Sequence, residues 1–150
     1  MNREEFDRII DYAIEREKDA VRFYHELQTS VHFAERRKLL SNLEKMEEGH
    51  VTILEGIRNK QIENLVVPEV ENLHLSEYII QDEPEGELSY QDILIIAMKR
   101  EESSHRLYTD MAVKTSDAGV QKLFLKLASE EAKHKLLFEK MYDEEILTEG

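Results

Sequence analysis

The sequence contains no cysteine or tryptophan among its 150 residues, and only two prolines and five glycines. Without cysteine it can form no disulfide, thiolate nucleophile, iron–sulfur cluster or cysteine-ligated zinc site. The scarcity of proline and glycine leaves most of the chain without the residues that disfavour helices most. We therefore expect a mostly helical protein of about one-domain size.

Basic residues are also scarce, since 20 lysines and arginines stand against 33 acidic residues, for a formal net charge of −13. This excess argues against nucleic acid, whose phosphates require a basic surface, and equally against an anionic membrane surface. No apolar run approaches the ~18 residues of a membrane span, and the charged opening MNREEFDRIIDYAIEREKD is unlike a signal peptide. We therefore expect a cytoplasmic protein with no nucleic-acid or membrane partner.

Four segments place apolar residues at the i, i+3, i+4 and i+7 spacing of an amphipathic helix. They group into two pairs, at about 2–60 and 89–147, joined by a connection at about 61–88 that holds both prolines. A short helix at 75–80 could interrupt this connection. Because short turns make each pair antiparallel, the pattern predicts a single all-α domain over 1–150. Its expected architecture is a ferritin-like four-helix bundle with a long crossover between helices 2 and 3; an irregular helical domain is the alternative.

Capping residues mark the starts of the third and fourth helices. Ser89 is followed three residues later by Asp92, as in a capping box, and the turn before the fourth helix offers Ser116 or Asp117 as its cap. The predicted inward faces of the second and fourth helices also include Met46 and Leu137.

A shift of 84 residues, the separation of Glu17 from Glu101, superimposes the second helix pair on the first. It lays AMKREESSHRLY at 97–108 over AIEREKDAVRFY at 13–24, and it aligns the Glu-x-x-His pairs of EEGH and EAKH. A glutamate and a histidine three residues apart share one helix face. Two copies of one helix hairpin, related by approximate two-fold symmetry, explain the repeat. Six metal-capable residues coincide: Glu17, Glu47, His50, Glu101, Glu131 and His134.

Four carboxylates on buried helix faces are costly unless they are paired or bind metal. Two divalent cations would neutralise them, and two imidazoles would add one nitrogen ligand to each ion. This donor set suits iron or manganese, with zinc also possible. Ferritin-like di-iron and di-manganese proteins use one such Glu from each of two helices and a Glu-x-x-His from each of the others. The alternative interpretation is four exposed glutamates and two core histidines.

With these motifs, the sequence resembles a rubrerythrin-type member of the ferritin-like superfamily over nearly all of its 150 residues. The resemblance implies that the six residues bind two iron ions, with Glu47 and Glu131 bridging them and Glu17 and Glu101 terminal. Rubrerythrins usually carry a rubredoxin-like domain with four cysteines, which this sequence cannot form. Ser104 stands where the family has a further glutamate that exchanges with a histidine during the redox cycle.

Two tyrosines and one histidine lie at spacings that favour a supporting role. Tyr24 and Tyr108 each follow a predicted ligand glutamate by two helical turns, so each could hydrogen-bond a ligand carboxylate of the opposite half or be an ordinary core residue. His105 follows Glu101 by four residues and could be a seventh ligand, a proton donor beside Ser104 or a surface residue. The remaining histidines are His25, His32 and His74. We expect them to be solvated, because none has a partner at a spacing that would suit a shared site.

These features predict a di-iron oxidoreductase that reduces hydrogen peroxide or dioxygen, a function in oxidative stress, with no catalytic side chain apart from the metal centre. Electrons would come from an external donor such as a rubredoxin or a flavoprotein. We expect a homodimer, and the sequence leaves open whether helix pairs are exchanged between its chains. The alternatives are a ferroxidase or iron-storage or buffering protein, and a non-enzymatic helical bundle that binds metal.

Overall fold

The computed structural model describes residues 3–30, 34–61 and 89–149, and every element in these ranges is helical. The four long helices are α1 (Arg3–Leu27), α2 (Ala34–Gly56), α3 (Tyr90–Lys114) and α4 (Ala118–Glu149). A 3-10 turn at Gln28–Ser30 follows α1, and a π-helical turn at Ile57–Gln61 follows α2.

The predicted all-α class and the four long helices of the predicted bundle are confirmed for the part of the chain that the structure describes. None of these helices combines the length and the apolar character that crossing a membrane requires. The expected short helix at 75–80, and the rest of the crossover up to residue 88, lie outside the described residues.

The chain divides into two compact units, each built around one of the predicted helix pairs. The first unit contains α1, α2 and residues 115–120, and the second contains α3 and α4 from Gln121 onward. A single domain over residues 1–150 stays a prediction.

Antiparallel packing in the first unit is fixed at both ends by polar contacts. Arg58, just beyond the end of α2, donates to Asp11 at 2.9 Å, and it lies 3.2 Å from Asp7, so the end of α2 meets the start of α1. The hydrogen bond to Asp11 is the main reason that the pKa of Arg58 is raised. At the other end, His25 Nδ1 lies 2.8 Å from Glu44. The buried apolar residues of this pair are Phe6, Ile9, Ile10, Ala13, Ile14, Tyr24, Leu27, Leu40, Leu43, Leu54 and Ile57.

The second unit repeats this antiparallel arrangement. Gln121 near the start of α4 donates to the carbonyl of Ala112 near the end of α3 at 2.9 Å. Further along, Lys135 donates to Glu102 at 3.0 Å, and this bond is the main reason that the pKa of Lys135 is raised. The apolar core of this unit consists of Leu94, Ile96, Ala97, Leu107, Tyr108, Met111, Ala112, Phe124, Leu127, Ala128, Phe138 and Met141.

Side-chain hydrogen bonds cap α3 and α4 at their N-termini. The Asp92 amide donates to Ser89 Oγ at 3.1 Å and the Ser89 amide donates to Asp92 Oδ2 at 3.2 Å, so the predicted capping box is confirmed. Before α4, Asp117 Oδ1 accepts from the Val120 amide at 3.0 Å. Asp117, one of the two predicted candidates, therefore caps α4.

Three predictions about side chains require correction. Met46 is 40% exposed and Leu137 is 36% exposed, although both were expected to face inward. Each lies at the edge of its helix face, because the neighbouring positions Glu47 and Phe138 take the central place on the buried stripe. His25 is 73% exposed, as a solvated histidine should be, but its contact with Glu44 shows that it has a partner.

Replacement of the α4 cap tests this description of the fold. We expect Asp117→Ala to lower the free energy of unfolding by about 1 kcal/mol, because the Val120 amide loses its acceptor. Ser129→Ala is the control, since Ser129 is exposed on the same helix, and it should change stability by no more than about 0.5 kcal/mol. Urea denaturation followed by far-ultraviolet circular dichroism measures both, and equal losses in the two variants would contradict the assignment.

Candidate metal centre

Three of the predicted ligands meet in the interior of the first unit and form what we term the first triad. Glu17 of α1 and Glu47 and His50 of α2 are each only 1% exposed. His50 Nδ1 lies 3.5 Å from Glu17 Oε2 and 3.5 Å from Glu47 Oε2. One ligand atom from each of the three side chains lies within 4.8 Å of the other two.

Helix geometry explains why these side chains converge. Glu47 and His50 are three residues apart on α2, so they project from the same face about one turn apart. Leu43 and Leu54 stand one turn before and one turn after them, and both are buried, which fixes this face against α1. The antiparallel register of the pair then places Glu17 of α1 opposite His50.

The second unit contains an equivalent cluster, which we term the second triad. Glu101 of α3 is 2% exposed, and Glu131 and His134 of α4 are each 1% exposed. His134 Nδ1 lies 3.5 Å from Glu101 Oε2, the same separation as in the first triad. One ligand atom from each residue again lies within 4.8 Å of the others. The repeat inferred from the sequence therefore has a structural counterpart.

The separations within each triad suit two ligands of one metal ion. A distance of 3.5 Å between imidazole nitrogen and carboxylate oxygen is longer than an ordinary hydrogen bond. Two atoms that each lie about 2.1 Å from a shared ion are separated by this distance when they subtend an angle of about 110° at the ion. Two carboxylates neutralise one divalent ion, and one imidazole adds a nitrogen ligand. Oxygen and imidazole donors fit iron, manganese or zinc.

The structure thus brings the six predicted residues together as one triad in each unit. The interpretation with four exposed glutamates is wrong, since all four are almost fully buried. Burial of this many ionisable groups on otherwise apolar helix faces is what a metal site would explain. The role of the six residues as ligands stays a prediction that the donor chemistry supports.

The two tyrosines expected near the centre are buried, each with 1% of its surface exposed. The ring of Tyr108 stacks on Phe124 with a centroid separation of 6.4 Å, and the ring of Tyr24 is tilted against Phe23 at 5.7 Å. Both rings are therefore part of the helix-pair cores. Their proposed hydrogen bonds to ligand carboxylates stay predictions.

His105 forms a hydrogen bond between helices that the sequence did not predict. Its Nδ1 lies 2.8 Å from the backbone oxygen of Ala128, and because a carbonyl can only accept, Nδ1 must carry the hydrogen and donate it. In the described ranges, the groups that could hold an ion do not include His105. The structure therefore favours a bond that joins α3 to α4 over a seventh ligand.

Ser104, where the family has a further glutamate, is half-buried, whereas its neighbour Ser103 is only 7% exposed.

The family model described as Rubrerythrin matches residues 92–149, a little over a third of the chain. The matched segment comprises nearly all of α3 and α4, and it includes the whole second triad. No curated protein and no solved structure matches the chain. The assignment of the first triad consequently depends on the internal repeat and on its geometry.

Removal of one charge from either triad should reduce metal binding. We expect Glu47→Gln and Glu131→Gln to lower bound iron from two ions per chain to at most one, because a neutral amide is a weaker ligand than a carboxylate. Glu48→Gln is the matched control, since Glu48 is exposed and lies next to Glu47 on α2. Elemental analysis by mass spectrometry measures the iron content. Two ions bound with unchanged affinity in either triad variant would contradict the assignment.

The role of His105 is tested separately. His105→Ala should leave the iron content unchanged and lower the free energy of unfolding by about 1 kcal/mol, because the bond to Ala128 is lost. His25→Ala is the control, since this exposed contact should be worth less than about 1 kcal/mol. Loss of an ion without loss of stability in His105→Ala would show that His105 is a ligand after all.

Proposed function

We propose that this chain is a di-iron carboxylate oxidoreductase that reduces hydrogen peroxide or dioxygen. The match of residues 92–149 to the Rubrerythrin family model supports a rubrerythrin-type, ferritin-like protein. The observation that carries the proposal is the presence of one buried triad of two glutamates and one histidine in each unit. Manganese and zinc also fit these donors, and the family resemblance favours iron.

In this proposal the two triads supply the ligands of a single dinuclear centre. Each triad would hold one ion through its histidine and one glutamate, Glu17 in the first and Glu101 in the second. Glu47 and Glu131 would be shared by the two ions, as the resemblance implies. Four carboxylates then balance the charge of two divalent cations, so that the whole site can stay buried.

The chain contributes binding, charge balance and exclusion of water. Two ferrous ions would supply the two electrons that convert one hydrogen peroxide and two protons into two waters. The residues one turn to either side of the Glu-x-x-His pairs are at most 2% exposed, namely Leu43, Leu54, Leu127 and Phe138. These apolar neighbours keep bulk water away from the ligands and so strengthen the electrostatic interactions between ions and carboxylates.

Turnover requires a reductant from outside the site. These 150 residues include no cysteine that could ligate an electron-transfer iron. We propose an external donor such as a rubredoxin or a flavoprotein, and a homodimer as the acting species. Ser104 cannot replace the carboxylate that the family has at this position. The ligand exchange expected of the family at this position therefore has no equivalent here.

Comparison of two oxidants tests the proposed reaction. Protein loaded with Fe(II) under argon is mixed with hydrogen peroxide, or with air-saturated buffer that contains catalase, and oxidation is followed by stopped-flow absorption. We expect peroxide to oxidise two irons per molecule and to react at least about tenfold faster than dioxygen. Faster oxidation by dioxygen would instead establish the ferroxidase alternative. No reaction with either oxidant would leave the non-enzymatic bundle.

A further inference from the structure

The outward face of α4 carries a run of exposed lysines, although the protein as a whole is acidic. Between Gln121 and Met141, the exposed residues of α4 include no acid. They are Lys122, Leu125, Lys126, Ser129, Lys133, Leu136, Leu137 and Lys140. For comparison, the exposed residues of α1 include three arginines but five acids, namely Glu4, Asp11, Glu15, Asp19 and Glu26. This stretch of α4 therefore exposes four positive charges and no negative one in a chain whose net charge is −13, and exposed acids follow at Asp143 and Glu144.

The four exposed lysines form one stripe along the helix. Lys122, Lys126, Lys133 and Lys140 are separated by four, seven and seven residues, so they return to nearly the same angle around α4. They extend over about 27 Å at the helical rise of about 1.5 Å per residue. Within the described residues none of the four has a hydrogen bond or an ion pair. Lys135, at the side of the helix, is by contrast held by Glu102 and Glu139.

Large apolar side chains lie beside this stripe. Leu136 is 64% exposed and Leu125 is 51% exposed, and the two are eleven residues apart, which places them on the same side of the lysines. Exposed leucines next to uncompensated charges are typical of a docking surface, where apolar contact gives affinity and charge steers the approach. We use the term α4 face for the surface formed by six of these residues, namely Lys122, Leu125, Lys126, Lys133, Leu136 and Lys140.

We propose that the α4 face is the docking surface for a small electron-transfer protein of negative net charge. This inference rests on the proposed function, which requires an external reductant. The uncompensated lysines specify a negatively charged occupant. Glu131 and His134 project from the opposite, buried side of the same helix. A docked donor would therefore be separated from the second triad by about one helix diameter, roughly 10–12 Å.

The electron balance determines what the partner must be. Reduction of one peroxide consumes two electrons and two protons and forms two waters. A one-electron donor must therefore dock, be oxidised and leave twice in each turnover. Contacts of this kind are small and short-lived, which suits a single helix face with a few leucines and a lysine stripe.

Two sets of variants test the α4 face. Lys126→Gln/Lys133→Gln/Lys140→Gln removes three positive charges from it, and Lys38→Gln/Lys45→Gln/Lys99→Gln removes the same number from exposed lysines elsewhere. Leu125→Ser/Leu136→Ser removes the apolar contact, and Val113→Ser, at a position that is 77% exposed on α3, serves as its control.

Binding is measured with the iron-loaded full chain and a rubredoxin of negative net charge, by isothermal titration calorimetry at low and at high ionic strength. We expect the lysine variant to weaken binding by about tenfold at low salt, and the leucine variant to weaken it at both salt concentrations. Both controls should stay within about twofold of the unaltered protein. Equal weakening by the control lysine variant would show a net-charge effect and overturn the proposal, as would unchanged binding in the lysine variant of the α4 face.

Further measurements separate this inference from the proposed reaction and from other occupants. The lysine variant of the α4 face should keep its iron content and its rate of Fe(II) oxidation by peroxide, while reduction of its oxidised centre by rubredoxin slows. If the unaltered protein does not react with peroxide, the proposed peroxide reduction is wrong. The binding of rubredoxin to the α4 face would not be affected by that result. Sedimentation that shows dissociation of a homodimer only in this variant would assign the face to a second copy. Binding to phosphatidylserine vesicles but not to rubredoxin would assign it to lipid, and either result overturns the proposal.

Discussion

The central constraint in this molecule is the burial of four carboxylates on helix faces that otherwise carry apolar side chains. Removal of an ionised carboxylate from water costs several kcal/mol even after the protein relaxes around it, and its neighbours of like charge add repulsion. A divalent cation held by two of them offsets both costs. In each helix pair, two carboxylates and one imidazole converge in a way that would suit such an ion.

Helical geometry satisfies this constraint in the same way in both units. The Glu-x-x-His spacing places two donors on one face of one helix, and the partner helix adds a single glutamate opposite the histidine. Apolar side chains one turn away keep water out. Since every part is duplicated at a shift of 84 residues, the two triads are best explained as copies of one ancestral hairpin site.

Much of this was predictable from the sequence, for reasons that differ between features. The helices were predictable because their apolar spacing is strong, and the six site residues because the repeat singles them out. The edges of the buried stripes were not, since Met46 and Leu137 lie at spacings that also fit an inward position. The bond from His105 to the backbone of Ala128 could not be predicted, because a carbonyl acceptor leaves no mark on the sequence. The capping bond from the Val120 amide to Asp117 depends on the turn geometry, which the sequence alone does not specify.

The α4 face and the second triad are opposite sides of one helix, so a single element would connect an external reductant to the buried ligands. This arrangement matters only if the triads jointly hold an iron pair. Mössbauer spectroscopy of the oxidised protein loaded with isotopically enriched iron tests that claim most directly. The account predicts two ferric ions per chain that are magnetically coupled and give a diamagnetic ground state. Separate paramagnetic ferric ions, without coupling, would contradict it.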